Sequence, residues 1–274
     1  MEIHLAGMNI DHSLLHDMES MLHDAADALA RNPADHQKNT ELVEKLSRHL
    51  ASDTITPETI SAAYARISRD PRSVDQLRQE ALQRVGKARR SNRNIIFGMG
   101  HSSVAEHAVF NLDIIGITRL LSEYIQSHRL CSFTEKSQRY IRLETDYIIP
   151  PEIRNTSLAK DYETFTRNRF RDYNELCRII CEDPSRDPSL AGEDARYILP
   201  LSVTTQMGMT INARTLERLL QRAASSNLQE FREFGKRLFS VIDGIAPSVI
   251  KYTEGNRREV DRAAVLSQRV AAVS

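Results

Sequence analysis

The run Ser127-His128-Arg129-Leu130-Cys131-Ser132-Phe133-Thr134-Glu135-Lys136-Ser137-Gln138-Arg139-Tyr140 concentrates chemistry in a stretch free of Gly and Pro. It carries a histidine, two arginines, a glutamate and four hydroxyl side chains besides Tyr140. Arg129 and Arg139 stand ten residues apart, and each guanidinium presents a rigid fork of donors that matches phosphate or carboxylate. The segment is equipped for a planar, anionic ligand.

The elements that position this run belong to a chain of 274 residues, long enough to bury a real core. Lys+Arg and Asp+Glu both number 37, so a general nucleic-acid polymer is not an expected partner, and any anion site must be local. Aromatics are only 6% and tryptophan is absent, which leaves the core to Leu, Ile, Val, Ala and Met. The three cysteines, Cys131, Cys177 and Cys181, are sparse and odd in number, the pattern of reduced thiols in a cytoplasmic protein. Cys177 and Cys181 share a helix face, but no further Cys or His follows them. His12 and His16 also share a face and have no paired acidic ligand pattern, so no metal site is expected. No run of eighteen apolar residues exists to span a membrane.

Residues 2 to 7 alternate like a short strand ending at a glycine turn. Two amphipathic patterns follow, 13 to 31 and 36 to 51, separated by Asn32-Pro33. Thr56-Pro57-Glu58-Thr59 reads as a helix start, with the helix running to about Ser68. Ser73 opens another, through about Arg90, whose basic run Arg84, Lys87, Arg89, Arg90 and Arg93 reads as a solvated face. Gly98 to His101 is a turn, 109 to 117 a strand, 119 to 129 a helix, and 138 to 148 an extended segment. A long helix is expected at 158 to 182, another before Pro200, an apolar turn-and-helix region at 201 to 222, and helices to Tyr252. The organisation expected is one domain, 1 to 274, with a helical insertion at 12 to 55 and a polar tail over 255 to 274.

Ser127-His128-Arg129, then seven residues, then Ser137 resembles the signature of the flavin-dependent thymidylate synthases, Arg-His-Arg followed by Ser at the same spacing. Four further blocks are similar to that family in the right order. Gly100-His101-Ser102-Ser103-Val104-Ala105-Glu106-His107 through Phe110 looks like its Gly-His-x-Ser-x-x-Glu-His-x-x-Phe. Ile114-Ile115-Gly116-Ile117-Thr118-Arg119 looks like Ile-Glu-Gly-Ile-Ser-Arg. Ala195-Arg196-Tyr197-Ile198-Leu199-Pro200 and Thr210-Ile211-Asn212-Ala213-Arg214 look like Ala-Arg-x-x-Leu-Pro and Thr-x-Asn-Ala-Arg. The resemblance implies an α+β fold, helix-rich with a central antiparallel or mixed sheet, and a cytoplasmic homotetramer whose flavin and nucleotide sites lie between subunits. It also implies reductive methylation of dUMP, with FAD as hydride source and methylenetetrahydrofolate and NADPH as co-substrates.

Carried over position by position, the resemblance implies a flavin site at Ser103, Glu106, Ser127, His128, Arg129, Glu135, Asn212, Arg214 and Arg218. It implies a nucleotide site at Tyr124, Glu135, Ser137, Gln138, Arg139, Arg196 and Arg222, with Ser137 and Arg222 closest to the chemistry. The family uses no covalent enzyme nucleophile, so Cys131 is not needed as one. Four positions depart from the pattern. Ser127 replaces the first signature arginine, Glu123-Tyr124 stands for His-Gln, and Arg218 stands for Asn or His. Arg222 arrives one residue early, with Ala223 at the ungapped position. These departures keep open a second reading, a paralogue that retains the scaffold and nucleotide or flavin binding without the catalysis.

Overall fold

Phe110, Leu112 and Ile114 alternate with Asn111, Asp113 and Ile115, and Met207, Met209 and Ile211 alternate with Gln206, Gly208 and Thr210. A period of two places each set on one side of a strand. In the computed structural model these segments form β2 (Val109–Thr118) and β4 (Thr204–Asn212). The structure describes residues 1–31 and 53–261, with positions 37, 40, 41, 43, 44, 47 and 265. β2 and β4 pair antiparallel, with Phe110 opposite Ile211, Leu112 opposite Met209 and Ile114 opposite Met207. β1 (Glu2–Met8) and β3 (Cys131–Glu135) close a four-stranded sheet of order β1-β2-β4-β3, with every pairing antiparallel.

The helices are α1 (His12–Arg31), α2 (Glu58–Tyr64), α3 (Val74–Gln83), α4 (Val85–Asn92), α5 (Arg119–Gln126), α6 (Pro151–Arg154), α7 (Ala159–Glu182), α8 (Ala191–Ala195), α9 (Ala213–Ala224) and α10 (Gln229–Ile242). α5, α9 and α10 cover one sheet face. Leu121 and Ile125, Leu216, Leu219 and Leu220, and Phe234 and Leu238 join the strands' inward side chains in the main core. The opposite face stays open at Asn111, Asp113, Gln206 and Thr210.

Several expectations need correction. The 201 to 222 region is not turn and helix throughout, because Thr204–Asn212 is the strand β4; its alternation is carried by methionines and hidden by Gly208. Cys131–Glu135, inside the chemistry-rich run, is a strand, whereas 138 to 148 is not one. Only Tyr147 makes a bridge, to Val203. The helix expected from Ser73 to Arg90 breaks at Arg84, whose φ of −135° and ψ of 56° interrupt the ladder. The helix from Glu58 ends at Tyr64, and Gly7 lies within β1, beside a register shift. Cys177 is buried and Cys181 exposed. Most of the helix expected at 36 to 51 lies outside the described residues.

The basic run on α4 is not wholly solvated. Arg89 Nε donates to the fully buried Glu58 carboxylate at 2.6 Å, while the other Glu58 oxygen accepts the Ser248 backbone N–H at 2.5 Å. Thr56 Oγ1 donates to the Ile245 carbonyl at 2.8 Å. A buried carboxylate is tolerated only when paired and hydrogen-bonded, and this one ties residues 56–58 to 245–248.

Glycine permits a close helix contact. A Cβ at Gly235 of α10 would stand 3.0 Å from Ala223 Cβ of α9, so the two helices approach through their smallest side chains. Gly208 has nothing within 4 Å of such an atom. Gly235→Val is therefore expected to lower stability by about 1–3 kcal/mol, the usual cost of overpacking. Gly208→Ala is expected to change it by less than ~0.5 kcal/mol. Urea unfolding midpoints check both.

Candidate functional site

Two strand-to-helix junctions build the site. β2 passes into α5 at Thr118, whose Oγ1 accepts the Leu121 N–H at 3.1 Å. Glu230 fastens the junction, its carboxylate accepting the Thr118 N–H at 2.9 Å and its hydroxyl at 2.7 Å. β4 passes into α9 at Asn212, whose Oδ1 accepts the Thr215 N–H at 2.9 Å. Both are ordinary N-caps, satisfying donors that a helix start leaves free. Asn212, expected at the flavin, thus also has a structural duty.

The C-terminal ends of α5 and α9 meet. His128 follows α5, buried, with Nδ1 3.2 Å from the Tyr124 carbonyl and 3.3 Å from that of Ile125. Those carbonyls only accept, so Nδ1 carries the proton. Nε2 is left as an acceptor, and Arg222 Nη1 donates to it at 3.3 Å. Burial, then the Arg222 cation, hold His128 below its ordinary pKa, so the imidazole is neutral. The Tyr124 ring lies edge-on to His128 at 5.5 Å and tilts against Phe231 at 4.5 Å. Its hydroxyl is buried without a hydrogen-bond partner, and burial raises its pKa to about 12.

The register question at Arg222 has a steric answer. Ala223 is fully buried against Gly235, so a long cationic side chain has no room there. Arg214, Arg218 and Arg222 recur every four residues and lie along one flank of α9. Arg214 pairs with Glu106 at 2.5 Å, both partly exposed. Ser103, on the same short 3-10 turn as Glu106, is exposed too. Arg218 and Arg129 are exposed, and neither pairs with a carboxylate among the described residues.

Ser127 is not aimed at this cluster. Its Oγ donates to the Tyr124 carbonyl at 2.6 Å and closes the end of α5. Glu123 is exposed and bound by Arg119 at 2.7 Å, so its charge is compensated. Arg119 also pairs with Glu135, which accepts from Gln126 at 2.8 Å. Burial favours protonation of Glu135, but the bonds from Arg119, Thr205 and Gln126 outweigh it and hold the carboxyl below its usual range. Its second oxygen is buried, as is the Thr205 hydroxyl.

The remaining residues gather around Glu193. Arg139 Nη1 stands 3.8 Å from its carboxylate, and Arg196 Nε donates to its carbonyl at 3.2 Å. Each guanidinium lies over the tyrosine that follows it, 5.1 Å from the Tyr140 ring and 5.3 Å from Tyr197. Ser137 Oγ accepts the Arg139 N–H at 3.2 Å, and the Gln138 carbonyl lies close over Gly192. Among the described residues, no hydrogen bond or ion pair joins this group to His128 or Arg222. Two cavities of about 400 and 420 Å³ share Ile115, Lys136, Ile141 and Gln206. Glu135 lines the larger. Cys131 is half-buried, and burial pushes its thiol up to about 11, which removes it as a thiolate nucleophile.

Sequence reasoning missed Arg119, Gln126 and Glu193 as partners of the expected residues. Only the four-residue spacing of Arg119 and Glu123 carried a signal.

Because His128 is neutral in the fold, the unfolded chain binds more protons than the folded one below about pH 6.5. This contribution to stability is present above that pH and lost as pH falls toward the lower folded value. His128→Asn is expected to reduce the loss of stability between pH 7.5 and 5.5, read as the difference in urea midpoints between variant and parent.

The family model described as thymidylate synthase complementing protein matches residues 49–248. A flavin-dependent thymidylate synthase of Clostridium tetani is 29% identical over 211 residues, 73% of this chain and 83% of the relative. One from Thermococcus onnurineus is 31% identical over 176 residues, 61% and 68% of the two chains. The crystal structure of thymidylate synthase X from Helicobacter pylori with FAD and dUMP aligns with a TM-score of 0.46 and 22% identity, over 72% of this chain and 95% of that one.

Proposed function

This chain belongs to the thymidylate synthase complementing protein family, and from that premise we propose that it is a flavin-dependent thymidylate synthase. The substrate is dUMP, the carbon donor methylenetetrahydrofolate and the reductant NADPH. Bound FAD supplies the hydride that completes the methyl group. The observation that carries the reading is the convergence of neutral His128 and cationic Arg222 where α5 and α9 end.

The residues fit a flavin dinucleotide. Arg214, Arg218 and Arg222 span about 12 Å along α9, a strip of cations suited to a diphosphate, with Arg129 and Ser103 as further donors. The Glu106 carboxylate pairs with Arg214 at the start of the strip. Asn212 starts the helix that carries all three.

Arg139 and Arg196 take the nucleotide phosphate, and the adjoining Ser137 hydroxyl and Gln138 amide take its remaining acceptors. Arg222 faces the uracil carbonyls and stabilises negative charge as it develops on the ring. His128, neutral and fixed by two backbone carbonyls, orients that guanidinium without adding a second positive charge. Glu135 lines a cavity that a ligand can enter, and Tyr124 sets an aromatic ring and a buried hydroxyl beside His128. Among the described residues, the Arg139–Arg196 group and the His128–Arg222 group make no direct contact. A homotetramer with sites shared between subunits brings them together.

The visible spectrum of the protein reconstituted with FAD, taken before and after dUMP, is the first test, followed by dTMP formation. A retained flavin whose spectrum shifts with dUMP is expected; a protein that retains no flavin and makes no dTMP overturns the proposal. Arg139→Ala is expected to weaken dUMP binding by about tenfold to a hundredfold, the loss of one charge-assisted contact. Arg90→Ala, on an exposed face, serves as the control and leaves binding unchanged. Arg222→Ala is expected to lower turnover by roughly 10²–10³.

A further inference from the structure

Arg222 is held from two sides, and the two are not alike. On one side stands His128, buried at the end of α5. On the other, Glu259 Oε2 lies 3.7 Å from Arg222 Nε. Glu259 belongs to 255–261, a segment that turns back over the end of α9. Gly255 passes so close that a Cβ would stand 3.4 Å from both the Ala224 carbonyl and Ser225 Oγ. The Asn256 N–H then donates to Ser225 Oγ at 2.8 Å. The Glu259 N–H donates to the Asn256 carbonyl at 2.9 Å, which opens a helical turn.

Among the described residues, little else fastens this segment. Val260 is 44% exposed, and Glu259 is the one residue of 255–261 that is not exposed. Segments with few buried apolar contacts open locally at low cost, and a partly exposed ion pair at this distance adds little. Among the described residues, the side chain that the segment keeps from solvent is therefore the carboxylate over the guanidinium assigned to the substrate.

We propose that 255–261 is a lid keyed by Glu259, which neutralises Arg222 in the ligand-free enzyme and gives it up to the nucleotide. The inference rests on the assignment of Arg222 to the uracil ring. A fixed orienting role fits Glu259 poorly. His128 already orients Arg222 from a buried helix end, and no hydrogen bond ties the carboxylate to it. A nucleotide base presents carbonyl acceptors that bind the same guanidinium face, so ligand and Glu259 compete. The lid thus keeps a partly buried cation compensated until substrate arrives, and lowers the apparent affinity by the cost of opening.

Hydrogen exchange of the full-length protein, read by mass spectrometry over 255–261, tests this in parent and Glu259→Gln with and without dUMP. Exchange is expected to rise when dUMP binds the parent, and to be raised in Glu259→Gln without any ligand. Glu259→Gln is also expected to bind dUMP about three- to tenfold more tightly. Protection of the segment by dUMP overturns the proposal. So does a variant with unchanged ligand-free exchange, or one with lower turnover at unchanged affinity, which makes Glu259 a fixed support of Arg222. If the parent binds no dUMP, the functional reading fails instead, and the ligand-free comparison still decides whether Glu259 holds the segment.

Discussion

The antiparallel pairing of β2 with β4 is the constraint on which the site depends. Each strand runs directly into a helix, and because the strands point in opposite directions the helices start at opposite ends of the sheet. β4 has nine residues, about 30 Å. α5 has eight and α9 twelve, about 12 and 18 Å. Two helices returning over one face from opposite ends, with a combined length equal to the strand, must meet tip to tip. His128 and Arg222 are the residues at those tips.

That meeting also sets the electrostatics. A helix ends in carbonyls that have no partner in their own ladder, and two such ends face each other here. The carbonyls of Tyr124 and Ile125 accept the His128 Nδ1–H, and the partial negative charge of both ends favours a cation between them. Arg222 supplies it. The neutral imidazole and the partly buried guanidinium are thus one arrangement, each explaining the other. A second positive charge on His128 would oppose Arg222 directly, and burial weighs against it as well.

Much of this was legible in the sequence, and what was not has a physical reason. The ordered blocks from Gly100 to Arg214 led to the α+β fold, and apolar spacing located α1, α5 and α7. β4 was misread because methionines fill its inward positions and a glycine interrupts its outward ones. The break at Arg84 leaves no trace, since it follows from a single pair of backbone angles. At the site, Ser127 read as a missing cation, whereas its hydroxyl closes a helix end. Glu123 stands where the family pattern has a histidine, and Arg119 compensates its charge. Partners distant in the chain, such as Glu193 under Arg139 and Glu230 at Thr118, follow only from the folded backbone.

The two sides of α9 answer to different demands. Leu216, Leu219, Leu220 and Ala223 are buried, and any change there is felt by the whole core. Arg214 and Arg218 are exposed and Arg222 only partly covered, so their replacement barely touches packing. One short helix therefore keeps two ledgers of mutation, one strict and one permissive. Recognition of a ligand can drift along the arginine side while the leucine side holds the architecture constant. Lineages that share this scaffold are free to diverge in what they bind long before they diverge in shape.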